Sequence, residues 1–594
     1  MPPSPKRSGL TFRRIDPGSG WVLAAAALLV TLITATAFLR QDHQIARTLG
    51  DTDDAMRLVL VRDLLDGRGW YDQLVMRLQP PAGTVMHWSR LLDGALAGVL
   101  WLMRLGLPPA QAEQAMRVCW PLAWILPAAA ASLAIARRLG GPRAMVAGAV
   151  LLVANPWVFV QFQPGRIDHH NVQITLTLAA AAFSIAGGGR RWSGALAGAA
   201  SALALAVGIE SLVFHALIGL GWGLSVVQDR TNAKAARTYG LALAVGTAGL
   251  FLAQTPPGRW SLSVCDALGW NLTAAVLVAG LGLAIIASLK LARARQIGAL
   301  FMVAAGAATV YLALDPSCLH GPFAAVDPRL RPFWFGQIEE LKAWPALLAT
   351  HRAAAIRILT VSLMSVCGCG VLWWRGGQGG WAGPLTAVAC VLVAIVASFQ
   401  AYRMEDYAFG FGLPVVAAGV ALAAEGRGMI TLLVLTVAAS PATLATVTGW
   451  AFAQLAPAPP PPVSPNARCY DTDVYRPLAA LPPGLVLADI NLGPFILAHT
   501  RDSVLAAPYH RMRWGVLSAH QALGTAPRQA EGTVRALGVR YIVECGALTR
   551  VGAGSFEAGL RQGRTPSWLA PISPPGEVLH IYQVEPVAQP PKEP

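Results

Sequence analysis

Three carboxylates within four positions, Asp51-Thr-Asp53-Asp54, follow soon after the apolar stretch 21–39. Acids at the mouth of a membrane helix cost solvation energy unless they bind a cation, a proton or a polar substrate, so the cluster marks a candidate site. A second acid, Asp168 in Gly165-Arg-Ile-Asp-His-His170, falls on the same side of the membrane once the apolar stretches are counted. Two acids meeting at one membrane face point to a metal site.

The elements that must position these acids are membrane helices. The chain has 594 residues, of which 55% are hydrophobic and 13% charged, with a mean hydropathy of +0.50. This is too apolar for a soluble protein and too long for a single core. The net charge of +15 is spread as short basic clusters between apolar stretches, where it orients helices, so nucleic-acid binding is excluded as the leading reading. Stretches long enough to span, roughly 17–25 residues each, number about thirteen between residues 21 and 454, predicting an all-α membrane bundle. They fall at 21–39, 114–136, 143–161, 172–188, 193–209, 211–227, 238–254, 271–289, 296–314, 355–374, 382–400, 407–424 and 428–452. The first lacks a small-residue cleavage site and reads as a retained helix.

Lys6, Arg7, Arg13 and Arg14 precede the first stretch, which places segment 1–20 in the cytoplasm. Arg137, Arg138, Arg190, Arg191, Arg230, Lys234, Lys290, Arg293, Arg375 and Arg427 then fall in loops on the same inner side. The agreement requires residues 93–107 to lie at the interface within a first external loop, 40–113, and not to span. A long external loop covers 315–353. The expected location is a bacterial-type inner (plasma) membrane, multi-pass, with everything after about residue 453 outside.

A proline-rich linker, within 455–466, marks a domain boundary. Beyond it, 467–594 shows short buried strand patterns at 484–489, 503–507 and 539–544, with helical patterns between them, and predicts a small external α/β domain. Cys119, Cys367, Cys369 and Cys390 lie in apolar stretches. Cys265, Cys318, Cys469 and Cys545 lie outside, where four cysteines permit three pairings. Cys265 with Cys318 and Cys469 with Cys545 is the local solution.

Asp53-Asp54 before Arg62-Asp63-Leu64-Leu65, then Gln79-Pro-Pro-Ala-Gly-Thr84 and His87-Trp88-Ser-Arg-Leu-Leu-Asp93, resembles the first external loop of the oligosaccharyltransferase catalytic subunits, members of the GT-C membrane glycosyltransferases. Pro142-Arg143 followed by Asp168-His-His170, and Gln337-Ile-Glu339-Glu340 in the long loop, are similar to later parts of that family's pattern. The resemblance covers about 450 membrane residues in order and spacing. It implies transfer of a sugar or glycan from a polyprenyl-phosphate or -diphosphate donor, with a carboxylate-held divalent cation stabilising the departing phosphate. Hard oxygen ligands suit magnesium or manganese. By resemblance Asp53, Asp54 and Glu340 are catalytic, Asp53, Asp168 and His170 are metal ligands, and Arg403 binds the donor phosphate through its planar fork.

Each position also has a plainer use. Asp53 or Asp54 fits the N-cap of a helix starting there, and Arg403 could be neutralised by Glu405 and Asp406. Glu210, in Gly208-Ile-Glu-Ser211, fits a site lining or a turn equally. The tail opens with Cys469-Tyr-Asp-Thr-Asp473 and lacks the Trp-Trp-Asp signature by which the family holds an asparagine sequon. That points to a lipid, a glycan or another polypeptide as acceptor. A multi-helix transporter would instead show repeated halves and acids near helix midpoints, and a non-catalytic envelope-polysaccharide assembly factor would need no metal site.

Overall fold

The computed structural model describes residues 18–41, 49–187, 189–324, 326–335, 338–375, 380–455, 467–546, 552, 554–574 and 576–586. The basic segment before the first helix and the proline-rich linker lie outside the described residues. Each of the apolar stretches noted above is helical here, and the chain is a multi-pass membrane protein. By length and composition, eight helices among the described residues can cross a membrane, or nine if the bent pair Met429–Ala438 and Pro441–Gln454 is one span. The expected count of about thirteen differs because Pro109–Ala154, broken at Gly140 and Gly141, holds two of the stretches and counts once, and because His170–Ala186, Arg191–Val207 and Leu212–Gln228 are each only 17 residues long. Gly141, at φ +77°, makes the break before Pro142, which cannot supply an amide to continue the helix.

Residues 93–107 fall largely in the Arg90–Arg104 helix, which buries Leu92, Leu96 and Leu100 and leaves Trp101 and Leu102 exposed. One apolar face and one open face suit a helix lying at an interface.

The tail contains a five-stranded sheet ordered Ser503–Val504, Leu485–Ala488, Tyr541–Glu544, His580–Val584, Leu569–Pro571. The first three strands are parallel and the last two antiparallel. Three of the strands match the apolar patterns at 484–489, 503–507 and 539–544. Leu569–Pro571 and His580–Val584 were not foreseen. Both disulfides take the local pairing, Cys265–Cys318 and Cys469–Cys545.

The loop region 49–113 and the tail share one core. Leu58, Leu60, Leu78 and Trp88 pack in the same buried cluster as Phe495, Ile496, Val504 and Tyr541. Backbone bonds join them as well: Val504 donates to the Arg77 carbonyl and Gln79 donates to the Val504 carbonyl, both at 2.9 Å. Arg77 also donates to the carbonyls of Leu497, Thr500 and Asp502 at 2.8–3.2 Å, satisfying the end of the Gly493–His499 helix.

Candidate active site

The site is built on the first turn of the Thr52–Leu65 helix. Asp51, and neither Asp53 nor Asp54, is its N-cap, accepting the amides of Asp53 and Asp54 at 2.9 and 3.0 Å. That frees the other two acids for longer-range contacts. Asp54 is fully buried and turned inward: it accepts the amides of Ile167 and Asp168 at 2.7 and 2.8 Å and faces Arg166 at 3.0 Å. It therefore fastens the loop carrying Asp168 to the start of the helix, and it does not reach the cavity wall. Gly50 permits this approach, since a Cβ there would lie 2.3 Å from Asp54 Oδ2.

Asp168 is held from both sides. Its Oδ1 accepts from Arg57 at 3.1 Å, while Oδ2 lies 2.7 Å from His169 Nδ1 and 3.6 Å from His170 Nε2. Arg57, fully buried one turn beyond Asp54, also donates to Asp93 at 2.7 Å and stacks over Trp88 at 4.4 Å. Glu210 faces the pair of histidines, 3.4 Å from His169 Nε2 and 3.7 Å from His170 Nδ1. The open choice for Glu210 is thus resolved: it lines the site, and it also pairs with Arg403. Arg403 does not pair with Glu405, which is taken by Arg357, but reaches Glu340 at 3.7 Å.

These groups surround a cavity of about 1870 Å³ whose wall includes Asp53, His169, Glu210, Glu340 and Arg403. Asp168 and His170 are buried directly behind His169. The electrostatics are uneven. Burial, reinforced by the nearby charges of Asp168, Asp51 and Glu340, pushes the Asp53 carboxyl well above the usual carboxylate range. Burial alone would depress His169, yet the Asp168 carboxylate against its ring raises it to about 10. Burial likewise pushes Glu210 up, but Arg403, His169 and His170 outweigh it and hold Glu210 ionised. Asp53 is the acid left without a matching cation, on a wall where negative charge accumulates. Asp168, His169 and His170 each bring one ligand atom within 4.8 Å of the others, a set that Asp53 does not join, and oxygen and imidazole donors of this kind fit a divalent cation.

The C-terminal tail reaches the same cavity. Tyr509 donates to the carbonyl of Thr52 at 3.1 Å, and His510 and Arg511 both engage Asp266. The long loop is laid against this surface, with Trp334 donating to the Pro508 carbonyl at 2.9 Å and the Lys342 backbone carbonyl accepting from the Tyr402 amide at 3.0 Å.

No family model and no curated protein matches the chain. Solved structures do. The Archaeoglobus fulgidus oligosaccharyltransferase in its apo form superposes with a TM-score of 0.61 at 12% identity, covering 89% of this chain and 70% of that one. The fold is that of the membrane oligosaccharyltransferases. The archaeal oligosaccharyltransferase AglB from the same organism, in complex with an inhibitory peptide and a dolichol-phosphate, gives a TM-score of 0.58 at 13% identity over the same shares of the two chains. The Archaeoglobus enzyme's complex with zinc and sulfate gives 0.56 at 13%, covering 88% and 68%.

Within the oligosaccharyltransferase fold, the structure gathers Asp53, Asp168, His170, Glu340 and Arg403 around one cavity and sets Asp54 apart. Sequence reasoning noted His169 without giving it a role, and missed Arg57, Tyr509, Asp266 and His510. His169 carried a signal, since it sits between Asp168 and His170. The tail residues carried none, because their partners lie more than two hundred positions away.

Proposed function

We propose that the chain is an integral-membrane glycosyltransferase that passes a sugar or glycan from a polyprenyl-phosphate or -diphosphate donor to an acceptor on the external face. The orientation with a cytoplasmic N-terminus and an external tail belongs to this reading. So does the division into a membrane domain, 21–454, and a tail, 467–594. The observation that carries it is the placement of Asp53, short of positive charge, on the same cavity wall as the Arg403 guanidinium. A cation site beside an anion site is what departure of a phosphate requires. The relative bound to dolichol-phosphate and the relative bound to zinc and sulfate support the same pairing.

In this reaction the bond from the acceptor atom to the sugar C1 forms while the bond from C1 to the phosphate oxygen breaks. Asp53 takes the acceptor's proton. Arg403, whose Nε is buried without a hydrogen-bond partner, donates to the phosphate oxygens. Glu340 approaches from the long loop and closes the cavity on the acceptor side. A divalent cation held by Asp53, Asp168 and His170, when bound, supplies charge stabilisation to the leaving phosphate.

The acceptor class remains a lipid, a glycan or a polypeptide, since the tail lacks the sequon-binding signature. The test is a double variant, Asp53→Asn with Asp168→Asn, in membranes supplied with a labelled polyprenyl-linked sugar. Loss of labelled product with normal insertion supports the enzyme. Undiminished product overturns it in favour of an assembly factor, and counterflow of a labelled solute through the purified chain would favour a transporter.

A further inference from the structure

A second cluster of metal-ligating side chains lines the same cavity. His87 comes from the first external loop, Asp266 from the segment after the Ala233–Gln254 helix, and His510 from the tail. One ligand atom from each lies within 4.8 Å of the other two. His510 Nε2 is 2.7 Å from Asp266 Oδ2, and the His87 and His510 rings are 4.6 Å apart. His87 Nδ1 is buried with no hydrogen-bond partner, so an imidazole nitrogen is left unused beside a carboxylate. Trp334 and Phe323 pack against the His510 ring and fix its plane, each at 5.6 Å.

We infer that His87, Asp266 and His510 form a binding site for a divalent transition cation of the zinc class, separate from the hard-cation site at Asp53. Two imidazoles and one carboxylate suit zinc, cobalt or nickel better than magnesium. A tetrahedral zinc with bonds of about 2.0–2.2 Å sets its ligand atoms about 3.4 Å apart, so the His510–Asp266 pair, now at 2.7 Å, opens by about 0.7 Å while His87 moves in by at most about 1.4 Å. Three protein ligands leave a fourth position open toward the cavity. Arg511 does not compete for the whole carboxylate: its Nε and Nη2 reach Asp266 at 2.9 and 2.8 Å, and a carboxylate has about four lone-pair directions. The guanidinium acts as the outer partner that orients the ligand oxygen. The cation takes the place of the proton now shared by His510 Nε2 and Asp266 Oδ2.

The consequence is mechanical. The ligands come from three segments, and one of them, Asp266, adjoins Cys265, whose disulfide to Cys318 anchors the long loop. A bound cation ties the tail, the first loop and the base of the long loop into one rim around the cavity. This inference does not rest on glycosyl transfer.

The test uses the full chain in detergent, stripped with chelator, carrying Asp53→Asn and Asp168→Asn so that the first site is disabled. Titration with cobalt(II) is expected to develop visible d–d absorption at one equivalent, displaced by zinc and unaffected by excess magnesium. His510→Gln and, independently, His87→Gln are each expected to weaken cobalt binding by about a hundredfold or more, beyond the 10–100-fold typical of losing an outer-shell partner. Because His87 and His510 lie on different segments, misfolding of one variant leaves the other to decide. Absence of a cobalt band in the parent, or a band that both substitutions leave unchanged, overturns the inference.

Discussion

Arg57 is the residue on which the geometry of the acids depends. Its guanidinium is fully buried between Asp93 and Asp168, so removing it leaves two carboxylates in low dielectric with part of their compensation gone. Arg57→Met is expected to destabilise the protein by about 3–5 kcal/mol; an unchanged thermal midpoint in detergent would show that the pair carries no such role. Glu557 makes a second prediction in the tail. Burial pushes this acid up to about 7 against the opposing pull of Arg561, with Asp489 and Glu544 adding to the push. A carboxyl raised in the folded state contributes stability that is full below its unfolded pKa of about 4.5 and lost as pH rises through about 7. Glu557→Gln is expected to remove that slope and to stabilise the protein at pH 8 by about 1–3 kcal/mol. Unfolding midpoints between pH 5 and pH 8 test it, and parallel profiles for parent and variant would refute it. At this scale the sequence was informative where residue type alone implies chemistry, as with Asp53 or Arg403. It was mute on Arg57, because an arginine in an apolar helix gives no sign of whether its partners lie in distant loops.

Among the elements, the long loop 315–353 is the one whose behaviour bears on the proposed turnover. Its early part is tethered by Cys318, as its cysteine suggested. The structure adds a second anchor: Trp334 is buried and bonded to the Pro508 carbonyl of the tail. Trp334→Ala removes a large buried ring, a change that typically costs about 3–5 kcal/mol of local packing. Cleavage between residues 325 and 345 by a protease is therefore expected to accelerate severalfold in that variant, and lipid donor with divalent metal is expected to slow it in the parent. Equal cleavage under all these conditions would make the loop a fixed element and not a lid. The helices themselves were legible because apolar runs of membrane length are a strong local signal. The strands Leu569–Pro571 and His580–Val584 were not, since a three-residue strand has no period to detect and the second mixes His580, Tyr582 and Gln583 with only two aliphatic residues.

For the molecule as a whole, the covalent order of the chain hides its division into bodies. The sequence places a linker before the tail and so suggests a separable domain. Yet the buried cluster of the tail is completed by Leu58, Leu60, Leu78 and Trp88 of the loop that follows the first helix. No local pattern could reveal this, because Leu78 bridges to Val504 across more than four hundred positions. Each large apolar side chain that loses its burial forfeits about 1.5–3 kcal/mol, and four of them approach the whole stability of a small domain, about 5–15 kcal/mol. The carbonyls of Leu497, Thr500 and Asp502 would also lose Arg77. A fragment of residues 467–594 alone is therefore expected to show no cooperative unfolding transition, even with Cys469 and Cys545 joined. Coexpression with residues 1–455 is expected to restore protection of the Leu485–Ala488 and Tyr541–Glu544 amides from hydrogen exchange. An isolated fragment that melts cooperatively would mean that the first loop docks on a finished domain, and that Asp53 is positioned by the membrane helices without help from the tail.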